Sequence, residues 1–205
     1  MKKENKMLEI SAQLVKELRE ITGAGMMECK KALKESNGDK YKAIETLRKK
    51  GLASADKKAN KIVTDGIIAS YIHTGYKIGV LVEVNCETDF VARRDEFKDF
   101  ARDIAMQIAA SASVEYITFN DIPSEIIEQE KKIESKREDL KNKPEDIKQK
   151  IIEGRIRKNL EVLVLYDQPY IRDQSINIET LVKLKISYFN ENIKIRRFTK
   201  YILGN

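Results

Sequence analysis

Asn85-Cys86-Glu87-Thr88-Asp89-Phe90-Val91 separates two contrasting patterns. Before it, Ile78, Val80, Val82 and Val84 share one strand face while Leu81, Glu83 and Asn85 share the other. After it, Phe97, Phe100, Ala101, Ile104, Ala105, Ile108 and Ala112 form a wide apolar stripe at the helical period. The stretch is therefore a strand-to-helix turn, and it holds a phenylalanine in an unusual place. Extended backwards, the helix would put Phe90 on the stripe of Phe97. Arg93 and Arg94 lie between them on that face, and a continuous core helix would not bury both. Phe90 is expected in the turn. Two readings stay open: a side chain folded back on the sheet as a staple, or an exposed anchor.

Upstream, Ile67, Ala69, Tyr71 and His73 alternate with Ile68, Ser70 and Ile72, and Thr74-Gly75 marks a hairpin turn. His73 is the one histidine of the chain. With no second histidine and no nearby cysteine it reads as a polar residue at a strand end, not as a metal ligand or acid–base group. Downstream, two charged helical segments start near Ser124 and at Pro144, broken at Asn142-Lys143-Pro144. The first has a thin stripe of Ile126, Ile133 and Leu140; the second carries Ile147, Ile151, Ile152 and Ile156. Together they predict a helical hairpin that protrudes as an arm. Val162, Val164 and Tyr166 alternate with Leu163 and Leu165 as a strand, Ile178–Phe189 predicts a helix, and Ile193–Ile202 a closing strand.

The chain opens with three short helices. Ser11 caps the first, with Leu14, Val15, Leu18 and Ile21 on its apolar face and Gly23 and Gly25 closing it. The second runs from Met26 to Ser36. Asp39 caps the third, which has Tyr41, Ile44 and Leu47 on one face and Gly51 as its stop. On a helical wheel Met26, Cys29, Ala32 and Leu33 share the core face of the second helix. Met27 falls among Lys30, Lys31 and Lys34. Met27 is either a lone exposed apolar residue, which is common, or an adaptable contact point for a partner. The fold class is α+β: a three-helix module over residues 1–52, a helical linker over 53–64, and a core over 65–205. The core has a small antiparallel sheet, packed helices and a helical hairpin inserted at about 124–158.

Composition narrows the function. The chain has 205 residues, 41% hydrophobic and 35% charged, with a net charge of +6. No apolar run approaches the ~18 residues of a membrane span, and residues 1–10 lack the apolar segment of a signal peptide. Two cysteines, Cys29 and Cys86, make neither a disulfide framework nor a metal spacing. A basic RNA- or ribosome-binding protein is one class this charge allows. Tryptophan is absent and aromatics are 7%, which leaves little for base stacking.

Thr88-Asp89-Phe90-Val91, after Val84-Asn85-Cys86, resembles the signature of the elongation factor Ts family. Leu14-Val15-Lys16-Glu17-Leu18-Arg19, Thr22-Gly23-Ala24-Gly25-Met26-Met27 and Cys29-Lys30-Lys31-Ala32-Leu33 resemble that family's N-terminal, ubiquitin-associated-like module. His73-Thr74-Gly75 with Ile78-Gly79-Val80-Leu81-Val82-Glu83 is similar to its core hairpin. Ile152-Glu153-Gly154-Arg155, Gln168-Pro169-Tyr170 and Glu191-Asn192-Ile193-Lys194-Ile195-Arg196-Arg197-Phe198 also match. The match covers nearly the whole chain in order. Longer members have a duplicated core; this chain resembles the short form with one, which leaves pairing of two chains open.

The resemblance implies a nucleotide exchange factor rather than an enzyme, with no cofactor and no metal. Its partner would be elongation factor Tu, bound with GDP and held empty until GTP enters, with no membrane and no direct nucleic acid involved. Asp89 and Phe90 would wedge into that partner and disturb its Mg²⁺ site, with Thr88 and Val91 shaping the turn. Arg19, Met26 and Met27 would contact the same partner, and His73 is a candidate contact of the core. Bacterial cytoplasm or plastid stroma is the compartment implied.

Overall fold

The computed structural model describes residues 10–141 and 143–204. Residues 1–9, Asn142 and Asn205 lie outside them, and with them part of the expected signal-free N-terminus and of the Asn142 break. Among the described residues the architecture is α+β, and the chain divides into two compact units. One takes in the chain up to Gly66 together with Asn85–Arg94 and Thr180–Lys194. The other takes in Ile67–Val84, Asp95–Glu179 and the chain from Ile195.

The first unit begins with α1 (Ala12–Thr22), α2 (Met26–Glu35) and α3 (Lys40–Lys58). Ser11 caps α1, its hydroxyl accepting the Leu14 N–H at 3.2 Å, and Asp39 caps α3 through the N–H groups of Tyr41 and Lys42. Val15, Leu18, Cys29, Ala32, Leu33, Ala43 and Leu47 make one buried cluster. Two expected core residues are not in it. Ile21 and Tyr41 are exposed, because the buried rows of these short helices are narrower than their apolar stripes. The third helix does not stop at Gly51. It continues to Lys58, and Ala43, Leu47, Gly51 and Ala55 line its buried face at a spacing of one turn. A Cβ at Gly51 would meet Ser187 Oγ at 2.5 Å, so the glycine makes room for a neighbour and not for a helix end. That neighbour belongs to α8 (Ile178–Phe189), where the sequence predicted a helix with these bounds.

The second unit holds a sheet in the order β1-β2-β5, from β1 (Asp65–Ile72), β2 (Ile78–Cys86) and β5 (Ile193–Ile202). β1 and β2 join by the expected hairpin. Gly75 there has φ 91°, and the His73 N–H donates to Ile78 O at 2.9 Å. Val80, Val82 and Val84 are buried on one face of β2, as the alternation predicts. α5 (Asp95–Ala110) buries Phe97, Phe100, Ala101, Ile104, Ala105 and Ile108, while Ala112 lies beyond its end and is exposed. α6 (Ser124–Ser135) and α7 (Glu145–Leu160) pack together as the helical hairpin. Ile133 is exposed, and the polar member of the arm's interior is Glu134. Its carboxylate, 2% exposed, receives Arg137, Arg155 and Asn159.

The expected strand Val162–Tyr166 does not form. A 3-10 turn covers Glu161–Leu163, and Val164 makes a single parallel bridge with Tyr116. Val164 and Leu165 are adjacent and both buried, so the alternation of the sequence is not matched by alternating burial. The pairing stretch, residues 115–117, is too short to extend the ladder. Pairing resumes in a two-stranded ribbon of β3 (Pro169–Tyr170) and β4 (Asp173–Asn177). The Gln107 side chain, buried within α5, serves this ribbon: it donates to Pro169 O at 3.2 Å and accepts the Ile171 N–H at 2.9 Å.

Candidate functional site

Phe90 stands out in the first unit. It lies in α4 (Asp89–Ala92), a single helical turn, and is 79% exposed. Of the two readings, the staple folded on the sheet is excluded. The helix breaks at Arg93-Arg94 as the charges require: both are exposed, and α5 starts afresh at Asp95. Val91 and Ala92, next to Phe90, are buried. The turn thus pins its aliphatic side inward and presents its aromatic ring to solvent.

A turn of four residues does not hold itself, because helix nucleation is costly and propagation is absent here. Its support comes from elsewhere. The Thr88 N–H and hydroxyl donate to the Glu191 carboxylate at 3.1 and 2.6 Å. The neighbouring glutamate makes the converse bond: Glu87 accepts the Asn192 N–H at 2.6 Å and Lys61 Nζ at 2.9 Å. Burial pushes the Glu87 carboxyl up, but the Asn192 N–H and the Lys61 ammonium outweigh it and hold it below the ordinary glutamate value. Asn192, itself buried, donates to the carbonyls of Ala59 and Lys61 at 3.3 and 2.7 Å, and Lys58 reaches Asn190. Cys86 closes the strand side, its thiol donating to Thr88 O at 3.2 Å. Burial, then the charge of Glu191, push that thiol up to about 11, so it stays protonated and packs as an apolar residue. On the exposed side Asp89 pairs with Arg93 at 2.7 Å. Arg94 stacks on the rings of Tyr188 and Phe189, 5.4 and 5.0 Å from their centroids.

The other candidates of this unit lie at the start of α2 and the end of α1. Met27 is 75% exposed, as the wheel places it. Met26 is 44% exposed and does not join the core face. It opens the helix after Gly25, so the turn that would cover its side chain is missing, and the core row starts at Cys29. Arg19 is exposed in the last turn of α1. Between them Gly23 takes φ 66° as the C-cap of α1, its N–H donating to Arg19 O at 2.8 Å. A Cβ there would fall on Tyr188.

His73 belongs to the second unit, exposed at the hairpin turn, with its Nδ1 3.2 Å from the Tyr71 hydroxyl. The residues the sequence reading passed over are Glu87, Glu191 and Asn192. Glu191 and Asn192 were visible only as part of a motif, and their partners are more than a hundred positions away, a separation of 103 for Thr88 and Glu191.

Comparison with known proteins agrees along the chain. The family model described as "Elongation factor TS" matches residues 5–205. A protein of Galdieria sulphuraria named "Elongation factor Ts, chloroplastic" is 90% identical over 199 residues, 97% of this chain and 100% of its own length. One of Rhodomonas salina with the same name is 61% identical over 196 residues, covering 96% of this chain and 90% of its own. "Elongation factor Ts" of Rippkaea orientalis is 60% identical over 198 residues, 97% of this chain and 80% of its own.

Proposed function

This chain belongs to the elongation factor Ts family, whose members are translation elongation factors, and from that premise we propose that it is a guanine-nucleotide exchange factor for elongation factor Tu. It binds the GDP-bound form, disturbs the Mg²⁺ and phosphate site, and holds the empty form until GTP enters. The observation that carries this reading is an exposed phenylalanine in a turn whose Val91 is buried and whose Thr88 is hydrogen-bonded to Glu191, at Thr88-Asp89-Phe90-Val91. The nucleotide's grip rests on Mg²⁺ and on backbone N–H groups around its phosphates, so a wedge that shifts them removes charge neutralisation and hydrogen bonds together. The coupling is reciprocal: the factor by which this protein weakens GDP is the factor by which GDP weakens this protein.

Magnitude decides that the wedge has help. Burying one phenylalanine supplies ~1.5–3 kcal/mol, whereas moving a two-state equilibrium from 1:99 to 99:1 needs ~5.5 kcal/mol. Arg19, Met26 and Met27 supply a second contact, from the three-helix module that we read as ubiquitin-associated-like. Exposure of both methionines supports this, the departure of Met26 from the core included. The chain performs no chemistry on a substrate. Relatives named chloroplastic support the plastid stroma as its compartment, with bacterial cytoplasm as the other. Pairing of two chains is supported by the outer face of β1 and β2, which exposes Ile68, Ile72 and Leu81. Sedimentation reads that directly, and a monomer at all concentrations removes it.

The test of exchange is release of labelled GDP from elongation factor Tu. Wild type accelerates it, and Phe90→Ala loses most of the acceleration while staying folded. A folded wild type that leaves the release rate unchanged overturns the reading.

A further inference from the structure

We infer that Glu191 is a positioning residue for Phe90: the run Tyr188–Glu191 at the end of α8 holds both ends of the α4 turn and sets the angle at which the ring is presented. The inference rests on the exchange reading for its use, but its geometry stands without it.

The argument starts from what α4 lacks. Within the turn, the backbone bonds are Ala92 N–H to Thr88 O at 3.2 Å and Arg93 N–H to Asp89 O at 3.0 Å. Thr88 makes no side-chain cap of its own. In a helix start the N-cap side chain usually accepts a backbone N–H; here the threonine hydroxyl instead donates outward. Glu191 takes both donors of Thr88, one on each carboxylate oxygen, at 2.6 and 3.1 Å. Two bonds from one carboxylate to one residue fix a direction as well as a distance. At the other end Arg94 lies over Tyr188 and Phe189. Phe90 sits between these two fastenings in sequence and is itself 79% exposed, so most of its hold comes through the backbone.

The same run reaches the second contact. Tyr188 occupies the space that a Cβ at Gly23 would need, at the turn joining α1 to α2. Met26 follows that turn directly. One short segment therefore ties the Phe90 turn and the Met26-Met27 helix start to a common backbone. For two contacts on one partner this matters, because a contact held loosely loses part of its worth to ordering when it binds.

The experiment uses the full chain with elongation factor Tu·GDP, in a cycle of Glu191→Ala, Phe90→Ala and the double variant. Glu191→Ala lowers the maximal rate of GDP release by about tenfold, the worth of a charge-assisted hydrogen bond, and shifts the half-saturating concentration less. In the Phe90→Ala background it adds little, because there is no ring left to position. Glu191→Gln, whose carbonyl still accepts one of the two donors, recovers part of the loss and guards against simple misfolding. A second readout needs no partner: fluorine NMR of 4-fluorophenylalanine at Phe90, assigned by its loss in Phe90→Ala. Wild type gives one narrow line, and Glu191→Ala broadens or splits it. An unchanged line, or an equal loss of rate with and without Phe90, overturns the inference. A wild type that does not accelerate release overturns the exchange reading alone, and the fluorine line still decides on Glu191.

Discussion

Phe90 and Phe97 differ by 7 in sequence and fall on one side of a common helical stripe, yet Phe90 is 79% exposed and Phe97 is fully buried. The difference lies in what stands between them. Arg93 and Arg94 end one helical turn, and Asp95 and Glu96 start another with the acidic first turn a helix N-terminus favours. One phenylalanine is held by its surroundings; the other is held through its backbone and leaves its surroundings free. Exposure of a side chain and fastening of its backbone are thus separate properties. The exposed Phe90 is flanked by neighbours that are themselves buried or hydrogen-bonded, Val91, Ala92 and Thr88.

The sharpest way to break this comparison is to truncate each ring. Phe97→Ala costs about 3–5 kcal/mol of stability, as for large core aromatics. Phe90→Ala stays within about 0.5 kcal/mol, as for an exposed site. Denaturant unfolding measures both. A large loss at Phe90 would mean that the ring is packed after all. Next in size is Gly23→Ala. Its positive φ and the Tyr188 ring in the way predict a loss of about 1–3 kcal/mol, with impaired exchange alongside, since Tyr188 carries Arg94. Thermal unfolding and GDP release together check it.

A smaller effect is expected from pH. Glu87 has a folded pKa below its ordinary value of 4.5, so its contribution is present above that value and is lost as pH falls through the depressed one. Glu87→Gln therefore flattens the acid limb of the stability profile of the full chain, a change read from urea midpoints between neutral and acidic pH. The smallest is chemical. Cys86 is fully buried and its thiol is pushed up to about 11, so iodoacetamide at pH 8 leaves it unmodified in the folded chain and reacts once urea unfolds it. Rapid labelling of the native protein would show that the strand-to-turn junction opens readily.

Much of the fold was legible because it is written in local periods. The caps Ser11 and Asp39, the bounds of α8 and β5, the hairpin at Gly75 and the break before α5 all follow from residues within a turn of one another. Gly51 misled, since glycine in a helix usually marks an end and here marks a close neighbour. Val162–Tyr166 misled because a short apolar run reads as a strand whether or not a partner is there to extend the ladder. Met26 misled because a wheel assumes a full helix on both sides of each residue.

Sequence alone determined most of the helices, the β1–β2 hairpin, β5, the place of the break and the candidacy of Thr88, Asp89, Phe90 and Val91, since each rests on neighbours a few positions away. Tertiary structure alone decided that Phe90 faces outward and that Glu191, Glu87 and Asn192 hold the turn behind it. Those carboxylates meet their donors across more than a hundred residues, with separations of 103 and 105, and no local period records a contact of that span.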